Sequence, residues 1–115
     1  MGVYELLKEA IRRRQAVFGV YEGLARQFCP HILGFKAREP RCLGYQFGGE
    51  TSSGPLQTGT AGNWRCFKVA RLSAVRLIES EGWHTGPAHS QTQRCIDIID
   101  VDVERPELDG RSPPD

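Results

Sequence analysis

The chain predicts a mainly β fold, a small barrel or strongly bent antiparallel sheet capped by one N-terminal helix. Three observations carry that expectation. A single amphipathic helical stripe is confined to the first fourteen residues. After Gln15 the apolar residues become aromatic and β-branched and recur in short alternating runs broken by Gly, Pro and polar clusters. No internal repeat is present, and strands do not alternate with further helices, which argues against a parallel sheet. A chain of 115 residues holds one hydrophobic core. We assign residues 1–103 to a single domain and expect residues 104–115, which end Gly110-Arg111-Ser112-Pro113-Pro114-Asp115, to form a disordered tail.

The helix should run from Val3 to Arg14, with Val3, Leu6, Leu7, Ala10 and Ile11 on one side and Glu5, Lys8, Glu9, Arg12, Arg13 and Arg14 on the other. Its basic last turn suits the negative end of the helix macrodipole. Val17, Phe18, Val20 and Tyr21 make a first strand, and Glu22-Gly23 a turn. A second strand follows from about Ala25 to Leu33, in which Pro30 demands an edge, a bulge or a strand end because it has no N–H for the ladder. After a turn at Arg38 to Pro40, Cys42 to Phe47 forms the third strand, with Leu43, Tyr45 and Phe47 as its apolar face. Gly48 to Gly62, rich in Gly, Ser and Thr, should form a long exposed loop. Further extended runs are predicted at Trp64 to Val69, Arg71 to Ile78 and Cys95 to Val103, with a polar excursion from Glu79 to Gln93.

Composition excludes several functions. The formal net charge is +1, from 15 Lys and Arg against 14 Asp and Glu, so there is no basic coat for non-specific nucleic-acid binding and any anion site must be local. No apolar run reaches the roughly 18 residues that span a bilayer. The N-terminus is amphipathic where a signal peptide would be continuously apolar. We therefore expect a cytoplasmic chain with no membrane partner. The four cysteines, Cys29, Cys42, Cys66 and Cys95, show no paired spacing and sit in strand-like runs, so free thiols and no disulfide are expected. Among His31, His84, His89 and the cysteines, only Cys29-Pro30-His31 approaches a metal-ligand pair, and no second pair accompanies it; no metal or cofactor is predicted. No P-loop stands before a helix. Cys29 with His31 lacks the flanking motif and orienting acid of a nucleophilic site, so no catalytic residue is assigned and a non-enzyme is expected. Asp97, Asp100 and Asp102 alternate as the solvated side of an edge strand would.

Strand parity singles out two arginines. Arg26 shares a face with Phe28, and Arg65 with Phe67 and Val69, so each guanidinium heads an apolar row. At a barrel mouth such a group is partly desolvated and grips a carboxylate or phosphate through two parallel bonds. An internal salt bridge to Glu22, Glu39, Glu50 or Asp97 is the alternative. Tyr45 and Trp64 would flank this mouth and stack a ring or base, unless they serve core packing. Gln46 and Arg71 complete the predicted lining, and Trp83 would lid one end. Hydroxyls and backbone N–H groups of the glycine-rich loop can supplement an anion site.

Arg26-Gln27-Phe28-Cys29-Pro30-His31-Ile32-Leu33-Gly34, Leu43-Gly44-Tyr45 and Arg65-Cys66-Phe67-Lys68-Val69-Ala70-Arg71-Leu72, in this order after a helix with a basic end, resemble a compact bacterial WYL-type domain. The resemblance spans about Leu7 to Val103. Pro40, Arg41 and Cys42 stand where that family has Trp, Tyr and Leu, which is similar to a small stand-alone branch without the tripeptide or a DNA-binding domain. It implies an Sm-like or SH3-like barrel of five to six strands preceded by a helix. It also implies a ligand-sensing or accessory regulatory module taking a nucleotide, oligonucleotide or other phosphate or carboxylate. A protein–protein interaction module that uses a sheet edge or the helix face to pair with itself or with a partner chain is the other reading.

Overall fold

A computed structural model describes residues 2–51, 63–87 and 93–105. The expected tail from residue 106 onward, residues 52–62 of the glycine-rich loop, and His89 lie outside the described residues.

The amphipathic stripe becomes helix α1, Val3–Arg13, which ends where Arg14 enters the left-handed region and its N–H returns to the Ala10 and Ile11 carbonyls. Leu7, Ala10 and Ile11 are buried from this helix. Strands β1 (Val17–Tyr21) and β2 (Leu24–Lys36) form a hairpin through Glu22-Gly23, whose φ values of 55° and 75° suit a two-residue turn matched to strand twist. A second hairpin joins β2 to β3 (Glu39–Gly49) through Ala37-Arg38, also left-handed at both positions. Strand β4 (Trp64–Lys68) leads through a 3-10 turn at Val69–Arg71 into β5 (Leu72–Leu77), and β6 (Ile98–Asp102) closes the described elements.

All pairings are antiparallel, in the order β4-β3-β2-β1-β5, with β6 on β2. Strand β2 is the spine. On one side it pairs with β3 along nearly its whole length; elsewhere Val17–Tyr21 of β1 takes its first half and β6 its second. The mainly β fold with one leading helix is therefore observed, as a bent six-stranded sheet that is not closed into a barrel. Pro30 lies within this central strand, where its missing donor coincides with a break in the β2–β3 register between Pro30 and Ile32.

The main core joins the α1 stripe to Val17, Phe28, Phe67, Leu72 and Val101. Phe28 and Phe67 meet at 4.4 Å, and Tyr21 stands edge-on to Phe67 at 5.0 Å. Gly44 makes room for them: a Cβ there would press to 2.7 Å from the Phe28 ring. A second cluster on the other side of the sheet gathers Ile32, Leu43, Cys95 and Ile96 with Trp64 and Ile99.

Several expectations are corrected. The middle of β3, Cys42 to Gln46, is buried on both sides, with Ile96 packed on Leu43 and Gly86 against Tyr45 from the described parts of the segment between β5 and β6. Trp83, from that segment, packs on His31 at 4.7 Å instead of lidding an end. Cys66 and Cys95 form a disulfide, with Cα atoms 5.5 Å apart, while Cys29 and Cys42 are free and buried. Cys95 precedes β6 and is not in a strand. Of the acids Asp97, Asp100 and Asp102, only Asp97 is exposed. Asp100 accepts from the Tyr4 hydroxyl at 2.6 Å and pairs with Lys8 at 3.2 Å. Asp102 is 1% exposed, accepting from the Glu104 N–H and the Arg105 Nε. Among the described residues no helix is long and apolar enough to cross a membrane.

Candidate anion-binding site

The two arginines picked out by parity lie on the same side of the sheet, and Arg26 sits beside the β1–β2 turn. Arg26 is 2% exposed. Its cross-strand partners are Gly19 on β1 and Gly49 on β3, so neither neighbouring strand places a side chain beside the long arginine stem. Gly49 is held at φ +83° with no room for a Cβ against the Ala25 carbonyl, which reserves the position for glycine.

The Arg26 guanidinium donates through Nη1 to Oε1 of Gln46 at 3.2 Å and through Nη2 to the Tyr21 carbonyl at 3.5 Å. It stands 5.6 Å from the Tyr21 ring centroid. Its ion-pair partner is Glu22, at 3.7 Å, a carboxylate half exposed to solvent. The Arg26 Nε is buried with no hydrogen-bond partner. Gln46, fully buried, donates from Nε2 to the carbonyls of Gly48 and Glu50, both at 2.9 Å.

Arg65 projects from β4 to the same side of the sheet, opposite Gly44. Its Nη1 donates to the Trp64 carbonyl at 3.1 Å. Burial, and after it the positive charge of Arg26, hold the Arg65 guanidinium below the usual arginine range. The two cations thus feel one another in partly desolvated surroundings, and the carboxylate paired with Arg26 is loosely held. Such a place favours an incoming anion, which offsets both the repulsion and the lost hydration.

The other predicted lining residues are divided. Gln46 belongs to the cluster. Tyr45 and Trp64 do not, because each lies one residue from a site residue on its strand, Gln46 or Arg65, and so points to the outer side, where their rings meet at 5.1 Å and Trp64 Nε1 donates to the Pro87 carbonyl at 2.8 Å. There they serve packing around His31, whose Nδ1 and Nε2 lie 2.7 Å from the Cys29 carbonyl and 3.0 Å from the Thr85 hydroxyl. Arg71 ends the 3-10 turn and is exposed. Tyr21 is the site residue that parity did not single out. Besides facing Arg26, its hydroxyl accepts from the Lys68 N–H at 3.1 Å and so ties β1 to the end of β4. Among the described residues, no three His, Cys, Asp or Glu side chains group as metal ligands. Comparison of the chain with family models, curated proteins and solved structures found no match.

Proposed function

We propose that this chain is a non-enzymatic ligand-binding module, of sensing or accessory regulatory role, that takes an anionic group between Arg26 and Arg65. The observation that carries the reading is Arg26 itself: a buried guanidinium with an unpartnered Nε, a half-exposed Glu22 as its carboxylate, and a second arginine, Arg65, that feels its charge. Planar, bidentate donors suit a carboxylate or a terminal phosphate, including that of a nucleotide or oligonucleotide. The near-neutral net charge favours a short ligand over a long polyanion. The resemblance to WYL-type domains supports a sensing role, and the cytoplasm is the compartment proposed for it.

Calorimetric titration with inorganic phosphate, a nucleoside monophosphate, acetate and a short oligonucleotide tests this. At least one should bind the parent, Arg65→Ala should bind it at least about tenfold more weakly, and Arg65→Lys should recover only part of the loss because the planar fork is gone. Arg65 is the safer variant, being less buried than Arg26. Failure of the parent to bind any of the four, or undiminished binding by both Arg26→Ala and Arg65→Ala, overturns the reading.

A second reading, a protein-interaction module, is favoured by β6. Its pairing is to β2 alone, and Ile98 on it is 68% exposed, the large hydrophobic most open to solvent among the described residues. Ile98→Asp should then dissociate a homodimer or a partner complex in sedimentation velocity; an already monomeric parent that captures no partner would set this reading aside.

A further inference from the structure

Among the described residues strand β4 is the terminal strand of the sheet: its ladder is with β3, and the Lys68 N–H at its end donates to the Tyr21 hydroxyl on β1. Its outward side chains are tied at two points to the segment between β5 and β6. Trp64 Nε1 donates to the Pro87 carbonyl, and Cys66 is bonded to Cys95. Between these two anchors, pointing the other way, is Arg65. The residue that completes the arginine pair is therefore carried by a short edge strand whose middle is fastened covalently.

The fastening is placed for exchange. Cys66 is exposed, whereas Cys95 is 7% exposed and packed in the second core. Arg41 Nη1 lies 3.8 Å from Cys66 Sγ, and a guanidinium there attracts an incoming thiolate to the accessible sulfur. Attack by one thiol of a dithiol reductant forms a mixed disulfide with Cys66 and expels Cys95 as thiolate. The second reductant thiol then releases Cys66. Two electrons pass to the bridge, each cysteine sulfur takes up a proton, and the dithiol leaves as its disulfide.

We propose that the Cys66–Cys95 bridge is a redox latch on β4 that holds Arg65 in position when closed and weakens the anion site when opened by a dithiol. This rests on the anion-binding reading above. It also accommodates a bridge in the compartment proposed there, since disulfides of reducing compartments are characteristically reversible and sensory.

The test compares oxidised protein, protein reduced with dithiothreitol, and Cys66→Ser, using amide hydrogen exchange and titration with inorganic phosphate. Reduction should speed exchange of the β4 amides at least about tenfold while leaving the β1–β2 hairpin protected, as expected of local opening. The same treatment should weaken phosphate binding several-fold, and Cys66→Ser should behave as the reduced form does. Unchanged β4 exchange on reduction overturns the latch, as does faster exchange with phosphate bound equally in both forms. Loss of protection across the whole sheet overturns it too, since the bridge would then support the fold and not one strand. If the oxidised protein binds no phosphate, the anion reading itself fails and the proposal with it, a result distinct from the other three.

Discussion

Arg26 and Gln46 fix one another: the guanidinium donates to Oε1 at 3.2 Å, which leaves the Gln46 amide nitrogen to donate to Gly48 and Glu50. A single buried amide therefore holds both the arginine and the last residues of β3. Gln46→Leu leaves Nη1 and two carbonyls without these partners and should destabilise by about 1–3 kcal/mol in urea denaturation. Gln46→Glu brings a carboxylate to the same atom of Arg26. It should abolish phosphate binding measured by calorimetry, whatever its effect on stability.

Glu22 competes with any anion for Arg26. Because it is half exposed and 3.7 Å away, the pair is screened and weak. Glu22→Gln should tighten phosphate binding several-fold at low salt, and that advantage should shrink as ionic strength rises. Equal affinities at all salt concentrations would show that the Arg26–Glu22 pair does not guard the site.

Leu7 is fully buried where α1 crosses the sheet. Leu7→Asp places an unpaired carboxylate in that core and should cost about 3–5 kcal/mol, read as a lowered denaturation midpoint. A neutral outcome would detach α1 from the fold.

Alkali should unfold the protein through its buried acids. Burial pushes the Cys29 thiol from its ordinary 9.0 up to about 12, and raises the Cys42 thiol and the Tyr4 hydroxyl, the latter also held by Asp100. Each of these groups is raised on folding, so above its unfolded value the unfolded chain has lost a proton that the folded chain retains. Stability is full below about pH 9 and falls as pH climbs toward 12. Cys42→Ala should flatten that decline. A stability that stays level between those pH values would contradict the burial of both thiols.

Much of this arrangement was legible because strand periodicity is local. Two-residue parity placed Arg26 with Phe28 and Arg65 with Phe67, and the structure keeps both arginines on the side of the sheet that those rings share. The Glu22-Gly23 turn and the helical stripe were legible for the same reason. Tyr45 and Trp64 were misplaced because parity says which residues share a side and not what covers that side; the cover arrives from a segment up to forty residues downstream. Cys66 and Cys95 are 29 residues apart, and no spacing rule announces such a pair. Asp100 and Asp102 read as solvent-facing because their partners, Tyr4 and Lys8 for one and the chain just after β6 for the other, belong to tertiary structure.

The spine role of β2 has a kinetic side. During synthesis its first half meets β1 and its whole length meets β3 early, yet the positions Ile32 to Phe35 wait for β6, whose partners Asp102 to Ile98 come more than sixty residues later. Tyr4 waits longer still for Asp100, 96 residues away. Until β6 emerges, one edge of the central strand and one flank of α1 stay open, so the nascent chain passes through a stage with an unpaired, apolar β edge. Completion of the fold is therefore a late and cooperative event, and truncation before Ile98 should yield an aggregation-prone chain instead of a smaller version of the same domain.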